Sequence, residues 1–381
     1  MTSRERLALT LSHKEPDRVP LDFGAGKSCK FTKLFYKKLL DYFGIEEEIV
    51  LCHNWAQLVY PSERVLQLLG TDVRPLMPKK NPTDGPQEKW WEDEDWLYYS
   101  TEFGTKYRMP KKNGMYFDMF ETPLADAEDE EDDKKMVWPE PPTIDPVSRE
   151  IAEIHHRDGF PTVLTEQYGN GFLQFGPMIF GYQNWLMMLA AEPERCTEFM
   201  ERLYEKKVVF WENRMKVYGD TADMISENDD FGTQAGLFVS PRMLRELVLP
   251  YHKKLYAKIR EKYDVKVVLH SCGAISEIIP DLIELGIDAL NPVQTTAAGM
   301  DPAQLKKNFG NDVTFWGGGI DTQKTLPHGT PAQVRDAVKR NLDIFAPGGG
   351  YVFSMIHNLQ PDVPMENFIA MWEAYQENCR Y

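Results

Sequence analysis

From residue 151 onward the chain alternates short apolar runs with amphipathic stretches, and each run ends in polar residues. The runs 162–165, 224–225, 267–269, 289–290, 313–316 and 351–354 are rich in Val, Ile, Leu and aromatic residues, and they read as buried parallel strands. Two earlier runs, 18–24 and 71–75, bring the number to eight, each followed sooner or later by a helix. Such alternation predicts an α/β fold of the (β/α)8 TIM-barrel type, with the active site at the carboxyl ends of the strands. A doubly wound sheet is the competing architecture, but the chain lacks a GxGxxG turn opening a helix. A single barrel domain over residues 1–381 is expected.

Residues 80–143 interrupt the alternation. Trp90-Trp91, Trp96 to Tyr99, Lys106 to Met109 and Tyr116 to Phe120 are short aromatic runs between charged or glycine turns, the pattern of inserted β-hairpins. The acidic run 126–133 is expected to be a solvated loop.

The formal net charge of −16 argues against nucleic acid or an anionic membrane as partner, and offers little to a strongly carboxylated substrate. Five scattered cysteines without a CxxC suggest neither a disulfide framework nor a zinc ribbon, and fit a reducing cytoplasm. Residues 1–18 carry charges throughout, unlike a signal peptide, and no apolar run is long enough to span a bilayer.

A barrel of this order gathers Asp22, Glu166, Glu227, Asn228, Asp229, Asp230, His270, Cys272, Asn291, Gln294, Asp321, His357 and Asn358 at its rim. His270 and Cys272 stand two apart, so in an extended chain they share a face. His357 closes the eighth run, and across a closed barrel it can meet the first two. His270, Cys272 and His357 would then form a three-ligand site with one open position, a set that suits Zn2+. Taken alone, a His-x-Cys pair at a strand end is more often incidental than metal-binding, and His357 on another strand end is what brings the two readings level. Asp229, Asp230 and Glu166 are the candidates for handling a proton or positioning a substrate. Asp22, Asn228, Asn291, Gln294 and Asp321 are candidates for binding it.

Several segments resemble the uroporphyrinogen decarboxylase superfamily: residues 1–24 with Arg4-Glu5-Arg6 and Pro16-Asp17-Arg18-Val19-Pro20, and the half from Glu227 to Gln376. Its most specific marks are His270-Ser271-Cys272-Gly273 and the stretch from Gly348-Gly349-Gly350-Tyr351 through Pro361-Asp362-Val363-Pro364-Met365-Glu366-Asn367. The resemblance implies a (β/α)8 barrel and two branches, porphyrinogen decarboxylases and zinc-dependent corrinoid methyltransferases. The decarboxylase branch grips substrate carboxylates with an arginine-rich stretch where this chain has Leu21-Asp22-Phe23-Gly24-Ala25-Gly26. The methyltransferase branch matches at His270 and Cys272, and its late cysteine falls on His357, an exchange that makes the site one charge less negative.

The resemblance therefore implies a zinc-dependent methyltransferase moving a methyl group from a small molecule, best a methoxylated aromatic, to cobalamin carried by a separate corrinoid protein. A metal-free decarboxylase or other lyase is the alternative enzyme, and a barrel that only binds a ligand is the non-catalytic one.

Overall fold

Seven of the apolar runs pair in parallel in the computed structural model, which describes residues 1–78 and 88–381. In spatial order they are Arg74–Leu76, Thr162–Leu164, Met224–Asn228, Lys266–His270, Ala289–Asn291, Thr314–Trp316 and Tyr351–Val352. Spatial order equals chain order, the pattern of strands wound in one direction with helices between them.

Both edges of this sheet meet residues 20–22. Leu21 bridges Phe353 in parallel. The Phe353 N–H donates to Pro20 O at 2.8 Å and the Asp22 N–H to Phe353 O at 3.0 Å, while Asp72 N–H donates to Leu21 O at 2.8 Å on the other side. Residues 20–22 thus close the (β/α)8 barrel as its eighth member. Pro20 lacks an N–H, so this member is a seam of single bonds rather than a regular ladder. The Asp72 carboxylate clamps it from below, accepting Leu21 N–H at 2.8 Å, Arg6 at 2.7 Å and Arg18 at 2.7 Å.

Val73, Val163, Met224, Val268, Ala289, Trp316 and Val352 fill the barrel, joined by Leu7 from the helix Ser3–Leu11. The alternate positions Leu164, Ile225, Val267, Leu269, Leu290, Phe315 and Tyr351 face outward into the larger core shared with the helices. The helix that follows the strand Met224–Asn228 is not continuous. It runs Pro241–Met243, widens to a π turn over Leu244–Val248, and resumes as Leu249–Arg260. Pro250 explains the widening, because a proline has no N–H to donate and its ring crowds the preceding turn.

Residues 80–87 of the expected insertion lie outside the described residues. The remainder forms an antiparallel sheet of four strands in chain order, Lys89–Glu92, Trp96–Ser100, Lys106–Pro110 and Asp118–Glu121. Tyr99 stacks between Trp90 and Tyr107 on its inner face, and Trp91 stacks on Tyr98 on the other. A second, three-stranded antiparallel sheet, Phe31–Thr32, Leu58–Val59 and Leu51–His53, was not foreseen from the sequence. Phe117 N–H donates to Trp55 O at 2.8 Å and joins the two sheets. The acidic run is not wholly solvated: Asp129 caps a helical turn, Glu130–Asp133, and Asp133 pairs with the buried Arg195 at 2.7 Å. No described helix is long and apolar enough to cross a membrane.

Candidate active site at the barrel mouth

Period-two geometry sorts the strand ends. Met224, Val268 and Ala289 point into the barrel, so Asn228, His270 and Asn291, an even number of positions later, do too. Glu227 and Asp229, at odd offsets from Met224, face the helices. Glu227 is wholly buried there, accepting from Lys207 Nζ at 2.7 Å and Trp211 Nε1 at 2.6 Å. Asp229 accepts the first N–H groups of the helix Phe172–Phe180, from Leu173 and Gln174 at 2.9 Å each, and pairs with His252 Nε2 at 2.8 Å. These bonds tie Asp229, expected to handle a proton, to the scaffold.

His270 Nδ1 lies 3.0 Å from Asn291 Oδ1, and the amide is oriented by Asn291 Nδ2 donating to Trp316 O at 3.0 Å. A carbonyl oxygen only accepts, so Nδ1 carries the proton and Nε2 keeps its lone pair. Ser28 Oγ donates to the same Oδ1 at 2.9 Å. Cys272 enters the turn at Gly273, whose φ is +93° and where a Cβ would meet the Gly232 backbone at 2.4 Å, so glycine is required there. Cys272 Sγ is 3.5 Å from His270 Nε2.

The parallel register pairs Asn228 with His270, which places Asp230 beside Cys272. Asp230 Oδ1 accepts Cys272 N–H at 2.7 Å and stands 3.7 Å from His270 Nε2. The donor atoms of Asp230, His270 and Cys272 all lie within 4.8 Å of one another. Zinc bonds of about 2.3 Å to sulfur and ~2.0 Å to nitrogen, at a tetrahedral angle, set S and N roughly 3.6 Å apart. The observed Sγ–Nε2 separation matches, so these residues fit a zinc ion. Burial lowers the His270 pKa to about 4 against the opposing pull of Asp230, leaving a neutral imidazole whose Nε2 lone pair faces the Cys272 thiol. Burial, then Asp230, pushes the Cys272 thiol well above its ordinary range, so it needs a bound cation to ionise.

His357, expected as the third ligand, is not part of this set. It follows the strand Tyr351–Val352, three places from the strand Lys266–His270 that carries His270, whereas Asp230 follows the adjacent strand Met224–Asn228. It still faces the mouth: its ring is solvent-accessible although protein surrounds it, and burial lowers its pKa while Asp230 opposes. The groups expected to bind substrate are held by the protein itself. Asp22 is buried and accepts from Ala25 and Gly26 N–H at 2.9 Å each, Cys29 Sγ at 2.8 Å and Trp316 Nε1 at 2.9 Å. Gln294 Oε1 accepts Gly273 N–H at 2.8 Å, Asn228 Nδ2 donates to Asn170 at 2.7 Å, and Asp321 caps the turn at Gln323, Lys324 and Thr325. Glu166 pairs with Arg214 at 2.9 Å.

Two groups at the mouth were not singled out from the sequence. Lys27 sits on the loop after residues 20–22, partly exposed, and burial lowers its pKa to about 7 against the opposing pull of Glu227 and Asp230. Its Gly-Lys setting at a strand end was the available signal. His53, on the small sheet, has its pKa lowered by desolvation and then by Lys27 and Lys30, although its side chain reaches solvent. Nothing in the surrounding sequence marks it.

The uroporphyrinogen decarboxylase (URO-D) family model matches residues 95–378, well over half of the chain. The chain is 27% identical over 193 residues to the uroporphyrinogen decarboxylase of Pseudoalteromonas translucida, 50% of each chain being covered. It is 25% identical over 206 residues to the methylated-thiol–coenzyme M methyltransferase of Methanosarcina mazei, covering 52% of this chain and 49% of that one. The chain thus spans about half the length of the curated relatives it matches. Among solved structures, a methyltransferase from Methanosarcina mazei shares the fold with a TM-score of 0.62, over 99% of both chains at 16% identity. The matched stretch carries six of the barrel strands and all three clustered donors, and on that extent the chain belongs to the uroporphyrinogen decarboxylase family.

Proposed function

We propose that this chain is a zinc-dependent methyltransferase that takes a methyl group from a small molecule, most simply a methoxylated aromatic, and delivers it to cobalamin on a separate corrinoid protein. The observation that carries the reading is the inward-facing set of Asp230, His270 and Cys272, in which the Nε2 lone pair and the thiol face each other. Zinc held there would supply Lewis acidity toward the ether oxygen as the methyl group leaves. Asn291 orients His270, the Gly273 turn and Asp230 place Cys272, and His357 remains available to hydrogen-bond the donor.

The lost thiolate of the methyltransferase pattern returns as a carboxylate, so the set is not one charge less negative, as expected with His357 as ligand. A hard oxygen donor still gives a metal less electron density than sulfur, and the preference for an oxygen leaving group rests on that. A porphyrinogen decarboxylase must hold many carboxylates, and the 21–30 loop offers no guanidinium fork.

The test is metal analysis together with methyl transfer to cob(I)alamin from methoxyaromatics, thiols and methylamines. Near one zinc per chain, and loss of transfer in D230A, H270A and C272S, is the expected result. Transfer that survives all three substitutions, or turnover of a carboxylated substrate without metal, overturns the reading. A barrel that only binds would show altered affinity and no transfer from any donor.

A further inference from the structure

We propose that the edge strand Lys89–Glu92 pairs antiparallel with the same strand of a second copy of this chain, joining the two inserted sheets into one continuous sheet.

The hairpin bonds decide which backbone groups are free to pair. Asp93 N–H donates to Trp96 O at 3.1 Å, so Asp93 faces the strand Trp96–Ser100. Hydrogen-bonded positions alternate along an antiparallel strand, so the N–H and C=O of Trp91 and Lys89, opposite Tyr98 and Ser100, turn the same way. Those of Trp90 and Glu92 turn outward, and no described residue bonds to them. All four residues of the strand are exposed, Trp90 at 50% and Trp91 at 41%. Two half-bare indoles beside a row of unpaired amides make a pairing template of the kind that edge strands ordinarily blunt.

Charge selects both the occupant and the register. Outward groups must meet outward groups, so Trp90 can stand opposite Trp90, Glu92 opposite Glu92, or Trp90 opposite Glu92. The first sets Glu88 against Glu92 and the second sets Glu92 against itself, and like charges directly opposite are destabilising. In the third, Trp91 meets Trp91 at the two-fold axis, and Lys89 lies opposite Asp93 on the same face, a pair of opposite sign. Glu92 keeps a counter-ion of its own, Lys111 at 3.4 Å. The other edge of the sheet, Asp118–Glu121, carries an acid at each end and repels a copy of itself.

Packing supports the same register. Trp91 stacks parallel on Tyr98 at 5.3 Å, and Phe120 meets Tyr98 edge-on at 5.7 Å. A Trp91 pair at the axis carries this aromatic row from one copy into the next. The sheet is also fixed to its barrel. Thr105 Oγ1 donates to Met178 O at 2.7 Å, and Phe103 packs edge-on against Tyr168 and Phe175.

The experiment is sedimentation velocity over a concentration series for the wild type, E92P, E92A and K89E, with oxidative cross-linking of W91C and E92C. A strand this short makes a small interface, so the wild type should form a dimer with a Kd on the order of 10 µM. Proline at an outward-facing edge position spares the monomer and deletes half of the new backbone bonds. E92P should therefore weaken association at least roughly tenfold, whereas E92A, which keeps the N–H, should change it less than about threefold. K89E sets two acids opposite each other and should also weaken it about tenfold. W91C should form a disulfide-linked dimer, because residues paired directly across strands come within disulfide reach, while E92C and the wild type should not. A wild type that stays monomeric up to about 100 µM, growth beyond the dimer, equal losses in E92P and E92A, an unaffected K89E, or cross-linking of E92C in place of W91C overturns the proposal.

Discussion

Replacing Asp230 should cost the protein its zinc, and replacing His357 should not. The donor atoms of Asp230, His270 and Cys272 lie within 4.8 Å of one another, and His357 stands outside that set. Zinc in small four-ligand sites is worth about 10–16 kcal/mol, or ~3–4 kcal/mol per ligand. Removing one of three ligands should therefore weaken the zinc Kd by ~10²–10³-fold. Asp230→Asn keeps an acceptor for the Cys272 N–H and removes the charged ligand, so it separates metal loss from misfolding. His357→Ala should change affinity by at most roughly tenfold, the effect of a group that acts through others.

The assay is competition with a chromophoric zinc chelator at two pH values. Cys272 must lose a proton to bind, so apparent affinity rises with pH. Asp230 helps to hold that proton, so its removal returns part of the lost affinity, and more of it at the lower pH. Unchanged affinity in D230N together with a hundredfold loss in H357A would restore the original ligand set and refute this one.

Lys207→Met leaves the Glu227 carboxylate buried against Trp211 alone and should cost ~3–5 kcal/mol, read as a lower urea midpoint; an unchanged midpoint contradicts the ion pair. Asn291→Leu removes the acceptor at His270 Nδ1 and should weaken zinc about 10–100-fold, with wild-type affinity counting against the orienting role. Asp229→Ala strips the first turn of the helix Phe172–Phe180 and should lose about 1–2 kcal/mol of stability with methyl transfer retained. Lost transfer at wild-type stability would make Asp229 catalytic after all. His270 titrates at about 4 when folded, against ~6.5 unfolded. The unfolded chain then binds more protons between these values, so the apoprotein loses about 3 kcal/mol from this residue as pH falls through that window. His270→Asn should flatten the corresponding part of a stability–pH curve, and an identical curve would show that the residue is not buried neutral.

The barrel was legible because eight apolar runs ending in polar residues leave few other ways to bury both faces of a strand. His270 and Cys272 were legible for the same reason, being two apart at a strand end. The third donor was not, because it depends on register: Asp230 meets Cys272 only once Asn228 is set beside His270. Parity sets Glu227 and Asp229 on the opposite face from Asn228 and Asp230 in advance, but which face is inward follows from Met224 lining the barrel. The tertiary contacts of Asp22, Gln294 and Glu166 could not be read from polarity alone, since a polar residue at a rim binds whatever is nearest. Often that is the protein itself.

Ser28 and His270 share a single acceptor oxygen on Asn291. A ligand that draws the loop 23–30 toward itself loosens one claim on that oxygen and strengthens the other, which changes the electron density at Nε2. A metal on Nε2 and a ligand on the loop would then report on each other through one amide group, and linkage would require that each alter the other's affinity by the same factor.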